Sequence, residues 1–261
     1  QLRCTPQEAF LLKFIRSGAL GTWAMGRVQW NKKNSWRATS PNPDREKALN
    51  WRLEKETSLG LVGEIGLHQV DRACRYFNGF PSAVTGFGSV AFWKDGREVA
   101  DTTQVVFEYA DGVRLAFDAT LASSFEGETN AFYGSDAAVM IRDASAWMFK
   151  ETDAPLLGWE VYAQKETILK ETGISLRMDA SKIPTDNRAA QPAPVDPPLY
   201  FALQNFVRNA AEYGAAVEDF TSTYGDDATA LAKHLEENLK LLPAPDYLDG
   251  YRATVFALKA N

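Results

Sequence analysis

Residues Thr102–Ala122 read TTQVVFEYADGVRLAFDATLA, and the alternation within them decides the fold class. From Val113 onward every second residue is apolar, giving Val113, Leu115, Phe117, Ala119 and Leu121. A period of two puts that set on one face of a strand and leaves the other face polar. Asp111-Gly112 reads as a two-residue hairpin turn joining this strand to the one in DTTQVVFEYA. An antiparallel sheet covered on a single side follows.

On either side of this hairpin the chain continues in the same style. AVTGFGSVAFW before it, and ETNAFYGS, AAVMIRD and SAWMFK after it, are further strands. Tight turns are expected at Ser135-Asp136 and Asp143-Ala144, giving a meander of at least six strands. Near the start, TPQEAFLLKFIRSG predicts a helix with Thr5 as N-cap, Pro6 in the first turn, Glu8 closing a capping box and Gly18 as the stop. GTWAMGRVQW has strand composition, and residues 31–50 read as a long polar surface loop. Leu59–Phe77 is helical, with NGFPSA as terminator. Residues 179–198 contain five prolines and read as an extended excursion or linker. Three helices follow, in LYFALQNFVRNAAEYG with a stop at Gly214, in ATALAKHLEENLKLL and in YLDGYRATVFALKAN. Runs of strands and runs of helices kept apart place the chain in the α+β class.

Composition narrows the function. With 261 residues and 45% hydrophobic content the chain can build a proper core. A net charge of -6 and scattered Lys and Arg exclude nucleic acid as the default partner. No apolar run reaches the roughly 18 residues of a membrane span, so no membrane partner is expected, and the cytoplasm is favoured over the periplasm. Cys4 and Cys74 have no disulfide or metal-ligand pattern. His68 and His234 lack a second ligand at zinc spacing, so no metal site is expected. His234, beside glutamates, reads as a surface residue. The chain opens on Gln1 and ends within a periodic helix, which suggests a segment of a longer protein.

The chemistry concentrates in GEIGLHQVD, residues 63–71. On a helix, Glu64, His68 and Asp71 fall within an arc of about 60°. Carboxylates one turn away on both sides would raise the imidazole pKa above its ordinary value and hold one tautomer, as a general acid or base needs. Arg72 and Arg75 lie on nearly the same arc, so the same residues also read as a solvated, salt-bridged face. Gly60, Gly63 and Gly66 weigh against that second reading. Interior glycines weaken a helix by roughly 1 kcal/mol each, and they allow a sheet or a ligand to approach the backbone.

The order FIRSGALG, strand, Trp-rich loop, SLGLVGEIGLHQVDRACRYF, GFPSAVTGFG, antiparallel sheet and FYGSDAAVMI resembles the C-terminal domain of the glucose-fructose oxidoreductase, inositol dehydrogenase and MocA family. The resemblance covers residues 1–178 well and the three final helices more loosely. Its specific part is Gly60, Glu64, Gly66, His68 and Asp71, with Glu64 where the family usually has Asp. It implies a large, mostly antiparallel open sheet covered by helices on one face, like the C-terminal domain of glyceraldehyde-3-phosphate dehydrogenase. It also implies a single substrate-binding and oligomerisation domain over residues 1–261, with the N-terminal Rossmann domain outside this chain. NAD or NADP would be held by that missing domain and not by this chain alone. The family's Glu-Lys-Pro lysine is likewise outside, since Lys32, Lys33 and Lys55 do not match it.

By the resemblance, His68 is the acid/base group at a sugar or polyol hydroxyl, assisted by Glu64, with Asp71 beside the substrate. Trp36, Arg37, Trp51 and Arg52 are the expected sugar contacts, with Trp51 equally readable as core. The expected function is NAD(P)-dependent oxidation or reduction of a sugar, polyol or related secondary alcohol, in a homo-oligomer built through the open sheet face. The alternatives are an NAD-assisted glycoside hydrolase or lyase on the same scaffold, or a non-catalytic sugar-binding or dimerising module.

Overall fold

The hairpin that set the fold class forms as expected at its strands and differently at its turn. In the computed structural model, which describes residues 1–143, 145–168, 170–176 and 196–260, β3 (Thr102–Tyr109) and β4 (Arg114–Thr120) pair antiparallel. Gly112 alone takes positive φ, at 80°, and Tyr109 N–H donates to the Val113 carbonyl at 2.9 Å. The connection is therefore a three-residue loop, Ala110 to Gly112, rather than the two-residue turn expected. Asp111 avoids the left-handed region by leaving it to glycine.

Nine strands form one open sheet in the order β2-β3-β4-β1-β5-β6-β7-β9-β8. The remaining strands are β1 (Trp23–Asn31), β2 (Pro81–Ser89), β5 (Glu128–Gly134), β6 (Ala137–Arg142), β7 (Ser145–Lys150), β8 (Lys165–Ile168) and β9 (Glu171–Ser175). The expected meander is interrupted. Strand β1 lies between β4 and β5, parallel to β4 and antiparallel to β5, so the consecutive strands form two separate runs. Strands β8 and β9 carry no clean alternation, and the sequence did not announce them.

One face of the sheet is buried. Val105, Phe107, Leu115, Phe117, Val28, Phe132, Val139 and Met148 all point into it. It is covered by α3 (Leu67–Phe77), whose Phe77 ring meets Trp23 and Tyr109 at 5.1 Å and Phe132 at 5.7 Å. The other face carries Met25, Val106 and Tyr133, all exposed, beside Arg114 and Asp118.

By contacts the described residues divide into two compact units. The larger takes in 11–176 and 248–260 and holds the whole sheet. Helix α1 (Pro6–Arg16) begins at the expected N-cap, with Thr5 Oγ1 accepting from Glu8 N–H at 3.2 Å while Thr5 N–H donates to the Leu2 carbonyl rather than closing a box with Glu8, and Gly18 follows it at φ 85°. Residues 31–50 are not simply a loop. Asn42 caps a short helix, α2 (Pro43–Leu49), accepting from the N–H groups of Asp44 and Arg45. At the far end of the chain, α6 (Tyr247–Ala260) sets Phe256 5.8 Å from the Phe80 ring.

The smaller unit takes in residues 1–10 and 196–247. Helix α4 (Pro198–Tyr224) runs straight through Gly214, where a stop was expected, and ends at Gly225 with φ 82°. A glycine is tolerated inside a helix of 27 residues because the flanking turns supply the cooperativity. Helix α5 (Ala228–Asn238) is capped by Asp227, and its His234 is half-buried against the Phe220 ring at 5.1 Å. Of the proline-rich stretch 179–198, residues 179–195 lie outside the described residues, and α4 has begun by Pro198.

Candidate functional site

Helix α3 does not start cleanly. Val62–Gly66 forms a π-helical turn that runs directly into it. Such a wide turn inserts one extra residue into the helix and re-aims the side chains that follow; it is frequent at functional sites. The glycines permit it. A Cβ at Gly63 would lie 2.0 Å from Leu59 Cβ, and one at Gly66 would lie 2.9 Å from the Phe117 ring. So what approaches at Gly66 is the sheet, through the Phe117 ring at the middle of β4.

That contact orients the site. The turn before α3 sits over Phe117 of β4, which pairs with Val28 of β1, while Phe77 at the end of α3 sits by Gly26 nearer the start of β1. His68 lies within electrostatic reach of Glu128, the first residue of β5.

The polar residues of α3 are not a solvated face. Gln69 and Arg72 are buried, whereas His68 is exposed and Asp71 half-buried. The expected upward shift of the imidazole is overturned. Protein packed around the ring withdraws water and lowers the His68 pKa below 6.5, aided by Arg72, against the upward pull of Glu128 and Asp71. Glu64 is occupied elsewhere, its Oε2 accepting from Arg52 Nε at 2.9 Å. At neutral pH the imidazole is thus a neutral proton acceptor with a carboxylate-bearing strand end beside it.

The expected sugar contacts fall into two groups on one rim. In the first, the Arg52 guanidinium stacks 4.8 Å from the Trp51 ring and holds Glu64. Trp51 is 40% exposed and is not core. In the second, Trp36 takes a left-handed conformation with φ 61°, which stores about 1–3 kcal/mol in a non-glycine residue. Its neighbours hold it there. Trp36 N–H donates to Asn34 Oδ1 at 2.9 Å, Arg37 N–H to Ser35 Oγ at 3.2 Å, and the buried Arg97 to the Ser35 carbonyl. The two groups are joined where Glu98 N–H donates to the Leu53 carbonyl at 2.9 Å and Lys55 N–H to Glu98 Oε2 at 3.0 Å.

Sequence reasoning missed the supports of this rim. Arg97 makes a bidentate pair with Asp95, at 2.9 and 2.8 Å, and that hydrogen-bonded guanidinium holds the Asp95 carboxyl below its ordinary range. Asp101, with 0% exposure, accepts from the N–H groups of Ala91, Phe92 and Trp93. Asn50 exchanges two hydrogen bonds with the Ala38 backbone, at 2.9 and 2.8 Å. The signal for the first was available as an Asp-Gly-Arg turn at 95–97. The composition of AVTGFGSVAFW, which predicts strand through Trp93, obscures it, whereas β2 ends at Ser89.

A separate small cavity of about 130 Å³ lies between Gly18, Ala19, Asp136, Lys150 and Leu157, and none of the expected site residues lines it. Among the described residues, no group of three or more His, Cys, Asp or Glu is placed to hold a metal ion, and no helix is long and apolar enough to cross a membrane.

An open sheet covered on one side thus carries a polar rim beside a bulged helix start. The profile of the GFO/IDH/MocA C-terminal domain matches residues 10–140, which is 131 of the 261 residues, and the chain belongs to that family. A candidate oxidoreductase from Thermotoga maritima is 14% identical and superposes over 99% of this chain and 57% of its own, with a TM-score of 0.58. An oxidoreductase domain protein from Kribbella flavida is 18% identical over 98% of this chain and 60% of its own, also with a TM-score of 0.58. A levoglucosan dehydrogenase solved with NADH and levoglucosan is 23% identical over 58% of this chain and 42% of its own, with a TM-score of 0.47. The chain thus spans less than two thirds of the length of each of these structures. No curated protein matches it in sequence.

Proposed function

We propose that this chain is the substrate-binding part of an NAD(P)-dependent oxidoreductase acting on a sugar, polyol or related secondary alcohol. The observation that carries the reading is the exposed, neutral His68 on the bulged start of α3, set at a rim of aromatic and guanidinium groups, in a chain of this family. The nicotinamide, when bound, would supply the hydride exchange at the carbon bearing the hydroxyl. The described residues do not fit a dinucleotide: β1 and β4 are their one parallel pair, and no glycine lies between Asn31 and Arg37 after β1 to let a pyrophosphate approach. The cofactor therefore belongs to chain outside these residues, and only the proton side of the reaction is assigned here.

His68, neutral at pH 7, accepts the hydroxyl proton as the alcohol is oxidised and returns it in the reverse direction. Arg52 holds Glu64 by its Oε2, and the pair accepts and donates hydrogen bonds to substrate hydroxyls. Asp71 steadies the charged imidazole once the proton has arrived. Trp51 and Trp36 offer ring faces to the C–H faces of a sugar. The open face of the sheet, with Met25, Val106 and Tyr133, is the contact between copies.

The test is His68→Ala in the full-length protein, assayed with NAD and NADP over a panel of sugars and polyols. Turnover should fall about 10²- to 10⁴-fold with the thermal midpoint unchanged. Intact turnover would remove His68 from the chemistry and the proposal with it.

A further inference from the structure

Among the described residues, Arg37 shares its carboxylate partner, Asp95, with a second guanidinium. Asp95 lies between two guanidiniums, and it is committed to one of them. Arg97, its side chain wholly buried, takes both carboxylate oxygens at 2.9 and 2.8 Å, while Arg37 Nε stands off at 3.6 Å. Arg37 Nε and Arg97 Nη1 are both buried without a hydrogen-bond acceptor. Two guanidiniums thus share one carboxylate, and Arg37 holds the longer contact of the two.

The nearby carboxylates are already engaged. Asp101 takes three backbone N–H groups, and Glu98 takes Lys55 N–H. Among the other charged groups on the adjoining segments, Lys33 lies 5.2 Å over the Phe92 ring, Lys94 is bonded to the Val90 carbonyl, and Glu46 accepts from Ser40 N–H. The chain as a whole carries -6, so this cationic spot is not the local expression of a basic surface.

Orientation follows from the same contacts. With Nε turned toward Asp95, the outer Nη edge of Arg37 faces away from the carboxylate, and the side chain retains 30% exposure. The residue before it is held in the left-handed region by bonds on both sides. A guanidinium turned this way presents its outer edge as a planar fork, a geometry that matches carboxylate or phosphate oxygens.

We infer that Arg37 is an anion-recognition fork, held in place by Asp95 and Arg97, and that the molecule bound at this rim carries a carboxylate or phosphate group. This rests on the reading of the rim as a sugar or polyol site and narrows it to acidic derivatives. Arg37 touches the ligand; Asp95 and Arg97 are positioning residues.

The inference is tested by titrating the 261-residue chain calorimetrically with D-gluconate, D-glucose and inorganic phosphate, as wild type and as Arg37→Gln. Gluconate should bind about tenfold or more tightly than glucose, and Arg37→Gln should remove that margin by weakening gluconate far more than glucose. Arg37→Lys, which keeps the charge and loses the fork, should fall between the two and guards against misreading a misfolded variant. Phosphate binding that is lost in Arg37→Gln, without gluconate binding, would support the fork and assign the anion to a phosphorylated ligand. Equal affinity for glucose and gluconate, indifferent to Arg37, would overturn the fork and leave the sugar site standing. Tighter gluconate binding that survives Arg37→Gln, or no binding of any of the three, would also overturn it.

Discussion

An imidazole with a carboxylate one turn away on either side is expected to keep its proton tightly, and His68 departs from that because burial acts on the charge more strongly than its neighbours do. The sequence places Glu64, His68 and Asp71 on one arc, but it does not reveal that Glu64 is claimed by Arg52. A proton NMR titration should therefore find the His68 midpoint below 6.5. Asp71→Asn and Glu128→Gln should each move it lower still, because each removes a charge that favours the imidazolium. The sign for stability follows. Since the folded pKa lies below the unfolded one, the unfolded chain binds the proton more readily. The contribution is whole above pH 6.5 and declines as pH falls toward the folded value. An unshifted or raised midpoint would mean that the ring is better solvated than its packing implies. Gly66 belongs to this scale as well. In Gly66→Ala the added methyl would stand 2.9 Å from the Phe117 ring, so the helix must lift from the sheet. Overpacking of this kind destabilises by about 1–3 kcal/mol, to be read from urea unfolding. A neutral result would show that Phe117 can turn aside.

At the scale of elements, what was legible is what local chemistry dictates. The cap at Thr5, the alternation of Val113–Leu121 and the Gly18 stop each arise from near neighbours, and each is found where expected. What was hidden depends on partners distant in sequence. The π-helical turn exists because Phe117 approaches Gly66, and residues 31–50 are fixed by Asn50, Asp95 and Arg97. Strand β1 enters between β4 and β5, an order that no periodicity encodes. Asp101 shows how such a loop can be probed. Burial alone would raise its pKa, but the N–H groups of Trp93, Phe92 and Ala91, with the Thr102 hydroxyl, outweigh this and hold it below 3.8. Asp101→Asn leaves a single acceptor oxygen for donors that had two, and should lose about 1–3 kcal/mol at neutral pH. Because the folded pKa is depressed, that contribution is present above pH 3.8 and disappears as pH falls through the folded value. The gap between wild type and variant in urea midpoints should narrow on acidification. A gap constant with pH would assign the effect to shape rather than charge.

At the scale of the whole molecule, the sheet poses a question that its buried face does not. A sheet of nine strands with one face covered leaves the other to water or to a second copy. On this open face Met25 and Tyr133 are neighbours across β1 and β5, and Val106 lies opposite Ala116 on β4. Met140 and Trp147 extend the apolar surface across β6 and β7. Charged groups are interspersed, among them Arg114 with Glu108 at 3.3 Å, so the face is mixed in the manner of a protein contact rather than of a core. Pairing this face with its own copy needs no change of backbone, because both partners offer the same flat surface about a two-fold axis. Light scattering should accordingly give at least twice the 28.9 kDa mass of the chain. Tyr133→Glu should return the chain to that mass, by placing a charge where the two faces would meet, while leaving its far-ultraviolet circular dichroism unchanged. His68 stands on the opposite side, with α3, and should titrate identically in both states. Wild-type protein that is monomeric at micromolar concentration would remove the open face from the list of contacts, without touching the assignment of the rim.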